Sequence, residues 1–414
     1  MPNPSTFPVL EATFTLKESH RINITPQLMA QALQYSLSSG FPPFVAQLEE
    51  LTEKIHAPPD VCERQVVVTV GSEHGLSMAC GMLINPGDAV LFQEPTYPGL
   101  LALLDNVQAH LIPIRSDSQG VIPSLLRVAL DQCTDRRAKF IYVNPSGSNP
   151  TGVLMREARR REIYSIASEY DLLILEDDPY HYIQFMEENS VSVRSREAGL
   201  RMTNRRLKYR HHEPQLLQEV PPSFLSLDTE GRVLRFDSFS KTVAPGLRVG
   251  YVTVPKPIGE KLVLDILDNI LHASVLPQVI LREVLKTWGH EGYLQHMRAV
   301  CELYRRQRDI MVEAVDRHLN NLCEWTVPDG GFYIWLKVLG VKDTKTLAMK
   351  RGLEKGVLVV PGAGFLADGN QPSPYIRLAY SVINPDNMDK AIKLLAEAIR
   401  EEQEEYRSCK TSST

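Results

Sequence analysis

The sequence predicts an α/β protein in which a mainly parallel sheet of seven strands lies between helices, followed by a smaller α+β domain. Three observations support this fold class. Between residues 65 and 254, short β-rich runs alternate with helical patterns. The run LLILED at 172–177 is almost continuously apolar, as in strands that are buried on both faces of a sheet. After residue 282 this alternation stops.

The elements of the first part follow one another in a regular order. Strands are predicted at QVVVTVG (65–71), AVLFQE (89–94), AHLIPI (109–114), FIYVNP (140–145), LLILED (172–177), VLRFDSF (233–239) and RVGYVTV (248–254). Helices are predicted at 72–83, 97–104 and 155–170. Ligands of such sheets bind beyond the carboxyl ends of the strands, so we expect the functional site there.

The second domain is predicted from two strands and a terminal helix. The strands are GGFYIWLKV (330–338) and PYIRLAYS (374–381). The helix has Asn384 as its N-cap and Pro385 at its first position, and apolar residues then recur on one face. The predicted organisation is an N-terminal arm over 1–32, a large domain over 33–282 and a small domain over 283–414.

The composition argues against several classes of function. The chain is 43% hydrophobic and 23% charged with a net charge of −5, so neither nucleic acid nor anionic membrane is predicted as a main partner. The six cysteines are at least 18 residues apart, which leaves no metal-ligand spacing and suits a reducing compartment. No apolar run reaches the ~18 residues of a membrane span, and no secretory signal is visible. We therefore expect a cytoplasmic chain without a metal.

Residues 187–221 interrupt the alternating pattern. They show little apolar periodicity, and residues 194–210 contain seven Lys or Arg and one Glu. We expect an exposed, disordered basic loop, because such a composition buries too little apolar surface to become ordered. A basic binding arm is the alternative.

The stretch SFSKTVAPGLRVGY (238–251) places a lysine at the end of a strand, between serines and an arginine. In a desolvated cleft a lysine is favoured as the uncharged amine, which forms Schiff bases. Ser238, Ser240 and Arg248 offer the hydroxyls and the guanidinium that hold a phosphate. A Schiff-base Lys241 beside a phosphate site indicates pyridoxal phosphate. The alternative is an exposed lysine at a strand end, with Arg248 in an ordinary salt bridge.

Other motifs offer the groups that this cofactor requires. Asp177 in EDDPY ends a buried strand, where its carboxylate would keep the pyridine nitrogen protonated. Tyr180, three residues later, and Asn149 in NPSGSNPTG are candidate donors to the phenolic oxygen. The alternatives are a helix N-cap for Asp177 and a simple turn around Asn149.

Three more motifs contribute candidate residues. Ser72 and Glu73 in GSEHG begin a helix, whose N-terminal N–H groups would cradle a phosphate. The ring of Tyr97 in EPTYPG is placed to stack on the pyridine, with core packing as the alternative. Arg377 is a charge inside an apolar strand, and it suits either a bidentate grip on a carboxylate or an edge-strand salt bridge.

Together, and in this order, these motifs resemble those of the fold-type-I pyridoxal-phosphate aminotransferases of class I/II over nearly the whole chain. The resemblance implies that Lys241 carries the cofactor and moves the substrate proton. It implies that Asp177 pairs with the ring nitrogen and that Tyr97 stacks on the ring. It also implies that Arg377, together with Asn149, binds the substrate carboxylate.

The resemblance is strongest to the members that act on kynurenine and 2-aminoadipate, with 2-oxoglutarate as the usual acceptor. It implies a homodimer, because Tyr35 in LQYSLSSG would reach the cofactor phosphate and the substrate of the other subunit. Two alternatives stay open. One is a cysteine S-conjugate β-lyase, which needs no amino acceptor, and the other is a truncated form that binds the cofactor with little or no turnover.

Three features depart from the family pattern. The chain begins within that pattern, so we expect most of the N-terminal arm to be missing, with any mitochondrial targeting segment of a full-length form. Residues 187–221 lengthen a short connection of the family. Glu73 stands where relatives usually have glutamine. Because a carboxylate repels a phosphate, we expect its side chain to turn away and its backbone N–H to serve.

Overall fold

The computed structural model describes residues 2–133, 138–185 and 220–411. Its strands are β1 (Ala12–Thr15), β2 (Arg21–Ile24), β3 (Arg64–Thr69), β4 (Ala89–Glu94), β5 (His110–Asp117), β6 (Gly120–Val121), β7 (Ala138–Val143), β8 (Leu173–Asp177), β9 (Val233–Ser238), β10 (Gly250–Pro255), β11 (Cys323–Trp325), β12 (Tyr333–Val338), β13 (Val360–Pro361) and β14 (Tyr375–Ala379). The central sheet has the order β3-β10-β9-β8-β7-β4-β5-β6. Within it, β10 and β6 are antiparallel to their neighbours and the other adjacent pairs are parallel.

Helices cover both faces of this sheet. The α-helices of the described residues are α1 (Pro26–Ala32), α2 (Pro42–His56), α3 (Ser72–Leu83), α4 (Pro98–Asn106), α5 (Pro123–Gln132), α6 (Glu157–Glu169), α7 (Lys256–Asn269), α8 (Val275–Leu319) and α9 (Pro385–Thr411), of which α9 and the end of α8 pack on a second sheet instead. Alternate residues of β4 show how the two faces are filled. Val90 and Phe92 pack in one core with α3, α4 and α7, while Ala89 and Leu91 pack in another with α5 and α6.

A second, antiparallel sheet with the order β11-β12-β14-β13 packs against the end of α8 and the start of α9. The predicted cap of the terminal helix is confirmed, since Asn384 Oδ1 accepts a hydrogen bond from the Asp386 N–H at 3.0 Å. Helix α8 is interrupted at Gly289, whose φ of 61° and ψ of −174° are not helical. Residues of this helix up to Met297 pack in one core with α2, and residues from Cys301 onward pack in another core with the small sheet.

The predicted fold class is confirmed. All seven predicted strands form the central sheet, and the two-residue β6 adds an unpredicted eighth strand at its edge, after a turn that ends at Gly120 (φ 92°). The predicted basic loop lies, over 187–219, outside the described residues. Among the residues that are described, no helix is both long and apolar enough to cross a membrane.

Candidate active site

Polar side chains gather at one edge of the central sheet. Strands β3, β4, β7, β8 and β9 end at this edge, and antiparallel β10 begins there. The residues beyond these strand ends surround a cavity of about 190 Å³. It is lined by Ser72, Glu73, Tyr97, Asn144, Asn149, Asp177, Pro179, Tyr180, Ser238, Ser240, Lys241, Pro245, Arg248 and Tyr333. Ten of the twelve predicted site residues therefore meet in one cavity.

Lys241 lies in the turn that follows β9. The Ser240 N–H donates to Ser238 Oγ at 3.1 Å, which closes this turn. The carbonyl of Thr242 accepts a hydrogen bond from His296 Nε2 of α8 at 2.8 Å, so the turn is also tied to the long helix. The Lys241 ammonium faces the Phe332 ring with 6.0 Å between Nζ and the ring centre. The predicted strand-end lysine therefore faces the cavity and the small sheet.

Arg248 lies two residues before β10 and lines the part of the cavity where a phosphate is predicted to bind. Its backbone is left-handed, with φ 52° and ψ 48°. Its guanidinium donates to Ser240 Oγ at 3.3 Å and to the Val70 carbonyl at 3.2 Å. Gly71 (φ 83°) makes room for it, because a Cβ at that position would lie 2.6 Å from Arg248 Nη2. Ser72 then begins α3, so helix N–H groups, hydroxyls and a guanidinium surround one pocket that suits an anion.

Asp177 forms the opposite end of the cavity and is only 5% exposed. Its Oδ2 accepts a hydrogen bond from Tyr142 Oη at 2.7 Å, whereas its Oδ1 is buried without a partner. Asn144 Nδ2 holds the Asp177 carbonyl at 2.6 Å. The pKa of Asp177 is raised to about 7, mainly by burial and also by nearby Glu73, while the hydrogen bond from Tyr142 opposes this rise. A buried acid with one free oxygen is suited to a protonated nitrogen of a ligand.

A buried ionic network lies directly behind Asp177. Arg235 of β9 is fully buried and contacts Glu176 at 3.1 Å, Asp178 at 3.3 Å and Asp237 at 2.9 Å. Burial opposes ionisation of Asp178, but His181 and Arg235 outweigh it and hold the pKa of this carboxyl well below its usual range. A turn follows Asp177 and Asp178, so the alternative of a helix N-cap does not apply.

Arg377 of β14, the strand between β12 and β13, does not line the cavity but contacts two residues that do, Asn149 and Tyr333. Its Nη1 donates to Asn149 Oδ1 at 2.7 Å, and its guanidinium lies 4.1 Å from the Tyr333 ring centre and 5.0 Å from that of Phe365. Its Nε is buried without a partner. The strand is internal and the guanidinium has no carboxylate partner within the described part of the chain, which disfavours the edge-strand salt bridge. The unpaired N–H points to a carboxylate ligand.

The expectation for the Glu73 side chain is wrong. The side chain lines the cavity instead of turning away. Burial raises the pKa of Glu73, while interaction with the Tyr97 hydroxyl and with Arg248 lowers it. These two partners offset the repulsion that predicted an outward side chain. The Tyr97 ring lies against Gly99, because a Cβ at position 99 would lie only 2.4 Å from Tyr97 Cε1.

Tyr35 lies outside this cavity. It is 57% exposed, and its ring meets the edge of the His272 ring at 5.8 Å between centres. Conversely, Tyr142, Asn144 and Tyr333 contribute to the site but were not predicted. Asn144 is a polar residue near the end of the predicted strand FIYVNP (140–145), which is a usable signal, whereas Tyr142 and Tyr333 resemble ordinary core aromatics in the sequence.

Three comparisons place this geometry among known proteins. The family model described as aminotransferase class I and II matches residues 13–395. The mitochondrial kynurenine/alpha-aminoadipate aminotransferase of Bos taurus is 37% identical, over 97% of this chain and 90% of the relative. Among solved structures, the kynurenine aminotransferase of Pyrococcus horikoshii, in complex with PMP, kynurenine as substrate and KYA as product, is similar with a TM-score of 0.79. It is 28% identical, with 92% of this chain and 85% of that chain covered.

A second solved structure is LysN, an alpha-aminoadipate aminotransferase from Thermus thermophilus, complexed with N-(5'-phosphopyridoxyl)-L-leucine. It is similar with a TM-score of 0.74 and 25% identity, and the match covers 89% of this chain and 84% of that chain. The similarities thus extend over both sheets, and therefore over all the elements that surround the cavity.

Proposed function

Because this chain belongs to the class I and II aminotransferases, an enzyme family that uses pyridoxal phosphate, we propose that it transfers the amino group of kynurenine, 2-aminoadipate or a similar α-amino acid to 2-oxoglutarate. One observation carries this proposal. The unpaired buried Oδ1 of Asp177, the amine of Lys241 and the Arg377–Asn149 pair all converge on one cavity of about 190 Å³.

The residues present fit the cofactor. The unpaired Oδ1 of Asp177 would accept a hydrogen bond from the protonated pyridine nitrogen, and Tyr180 and Asn149 would donate to the phenolic oxygen. The phosphate would be held by Arg248 and the start of α3, with the hydroxyls of Ser72, Ser238 and Ser240. Tyr97 would stack on the ring. When bound, pyridoxal phosphate supplies an electron sink for the charge that develops at the substrate α-carbon.

The side chains of this chain divide the remaining work. Lys241 Nζ, as the uncharged amine, would take the proton from the substrate α-carbon and deliver it to the cofactor carbon that keeps the amino group. Asp177, kept ionised by its new partner, would keep the ring nitrogen protonated. Arg377 would bind the α-carboxylate through its free Nε–H and fix the orientation of the bond that loses the proton. The buried surroundings of Asp177 exclude water and strengthen each of these interactions.

We also propose a homodimer, in which Tyr35 serves the site of a second copy of this chain. Its exposed ring contacts His272, and Leu37 and Leu271, close to these two residues in the sequence, are exposed as well, so this surface offers apolar area to a partner. We further propose a large domain over 33–282 and a small domain over 283–414, and the change of core partner between Met297 and Cys301 supports a boundary within α8. A mitochondrial location is suggested by the name of the bovine relative.

The experiment is an absorbance titration of the purified protein with pyridoxal phosphate, followed by kynurenine or 2-aminoadipate without an acceptor. We expect a cofactor band that depends on Lys241, its replacement by the band of the aminated cofactor, and its return on adding 2-oxoglutarate. Lys241→Ala removes the first band, and Lys256→Ala, which changes an exposed lysine at the start of α7, is the matched control. Transamination by Lys241→Ala contradicts the mechanism, and a response to other amino acids alone contradicts the substrate assignment.

A further inference from the structure

Tyr333 is the first residue of β12, and it lines the cavity although no sequence motif marks it. It belongs to the small sheet, while Asp177 ends β8 of the central sheet and Tyr180 follows that strand. Its ring meets the Tyr180 ring edge to face, with 6.4 Å between centres and an interplanar angle of 84°. Tyr333 therefore connects the two sheets inside the site.

The backbone before Tyr333 is fixed on both sides. The Gly331 N–H donates to the Ile183 carbonyl at 2.9 Å, just beyond the Tyr180 turn. On the other side, a Cβ on Gly147 would lie 2.2 Å from Gly331 N, so the loop that carries Asn149 touches the 330–331 backbone directly. Gly147 and Gly331 both have positive φ, 55° and 72°. Such contacts hold a side chain in place before any ligand arrives.

The ring and the hydroxyl of Tyr333 face different partners. The Arg377 guanidinium lies 4.1 Å from the Tyr333 ring centre, and its Nη1 donates to Asn149 Oδ1. The Tyr333 hydroxyl interacts with the Tyr180 hydroxyl. The pKa of Tyr180 is held well above its ordinary value, mainly by burial and next by this interaction with Tyr333. Tyr180 thus stays a protonated donor. The other charged or titratable groups that face this part of the cavity are Glu73, Tyr97, Asp177, Lys241 and Arg248.

We propose that Tyr333 is a positioning residue of the transamination site: its ring holds the Arg377 guanidinium against Asn149, and its hydroxyl supports the hydroxyl of Tyr180. This inference rests on the proposed function, since it concerns the same site. Once Tyr180 donates to the phenolic oxygen of the cofactor, its own oxygen is free to accept a hydrogen bond from the Tyr333 hydroxyl. Two hydrogen bonds in series polarise each other, so Tyr180 becomes a stronger donor.

Two variants separate the two roles. Tyr333→Phe keeps the ring and removes the hydroxyl, so the phenolic oxygen loses part of its stabilisation. The apparent pKa of the cofactor band, measured by absorbance against pH, should rise by about 0.3 to 1 unit. The KM for the amino acid should stay within about twofold, because the ring still faces Arg377. Tyr333→Leu removes the ring as well, and the Kd of a non-reactive carboxylate ligand such as maleate should increase about 3- to 30-fold.

Tyr304→Phe is the matched control. Tyr304 packs against Phe332, with 4.4 Å between ring centres, but it does not line the cavity. It should leave the titration of the cofactor band and the maleate Kd at wild-type values. An unshifted titration in Tyr333→Phe, or an unchanged maleate Kd in Tyr333→Leu, overturns the inference. If the wild-type protein itself gives no lysine-dependent band, the proposed function fails first, so the two failures are distinguishable.

Discussion

The hydrogen bond from Tyr142 to Asp177 gives the sharpest prediction, because it controls how easily Asp177 ionises. Tyr142 Oη donates to Asp177 Oδ2 at 2.7 Å in a fully buried position, and this bond opposes the rise in pKa that burial causes. A hydrogen bond to a charged group contributes about 1.5 kcal/mol, which corresponds to about one pKa unit. Tyr142→Phe should therefore raise the pKa of Asp177 from about 7 by about one further unit.

The consequence for the cofactor follows from the ionised fraction of Asp177. With a pKa of about 7, roughly half of Asp177 is ionised at pH 7 in the wild-type apoprotein, against roughly one tenth in Tyr142→Phe. If the ionised form is the one that receives the ring nitrogen, the Kd of pyridoxal phosphate should increase about fivefold at pH 7. At pH 9 both proteins are almost fully ionised, and the two Kd values should agree within about 1.2-fold.

The assay is an absorbance or fluorescence titration of both apoproteins with pyridoxal phosphate at pH 7 and pH 9. Tyr164→Phe is the control, since Tyr164 Oη also donates to a buried carboxylate, Asp228 Oδ1 at 3.1 Å, but away from the cavity. It should not change the Kd at either pH. An increase in the Kd of pyridoxal phosphate in Tyr142→Phe that is equally large at pH 7 and pH 9 would refute the reasoning. The substitution would then act through the geometry of the site and not through the ionisation of Asp177.

Three further predictions concern the same cavity. Because the pKa of Asp177 is raised in the folded state, its contribution to the stability of the apoprotein is present below about pH 4 and is lost as the pH rises through about 7. In urea unfolding, Asp177→Asn should therefore reduce the fall in the free energy of unfolding between pH 5 and pH 8 by roughly 2 kcal/mol. An unchanged fall counts against the assignment. Gly71→Ala puts a methyl group 2.6 Å from Arg248 Nη2 at a φ of 83°, and should weaken pyridoxal phosphate binding at least about tenfold in an equilibrium titration. Gly246→Ala, where a methyl group would meet open space, is the control. Equal binding in Gly71→Ala and the wild type contradicts the phosphate site at Arg248. Arg377→Lys loses the planar fork and should raise the KM of amino donors about 10- to 100-fold in steady-state assays without lowering cofactor affinity, and an unchanged KM contradicts the carboxylate site.

The sequence predicted the residues whose chemistry is unusual for their position. Lys241, Asp177 and Arg377 are charges at the ends of, or inside, apolar strands, and a charge in such a position is costly unless it has a partner or a ligand. The carboxyl-end rule then brought Lys241 and Asp177 to one edge of the central sheet, as observed, whereas Arg377 approaches from the second sheet.

The other contributors could not be predicted, for physical reasons. The role of Tyr142 depends on the register that sets β7 beside β8, and the role of Tyr333 depends on how two sheets pack. Neither relation is contained in local sequence pattern. The direction of the Glu73 side chain was missed because repulsion from a phosphate was considered without the neighbouring Tyr97 and Arg248.

The ionic network behind Asp177 also has a consequence for how the protein folds. Arg235 and Glu176 occupy paired positions on β9 and β8, so their charges are removed from water together when these two strands join. A chain in which only one strand is in place would bury an unpaired charge, which costs several kcal/mol, and partly assembled sheets are disfavoured for that reason. Folding should therefore be cooperative across β8 and β9, and the pocket for the ring nitrogen should form in the same event as the sheet core, not as a later adjustment.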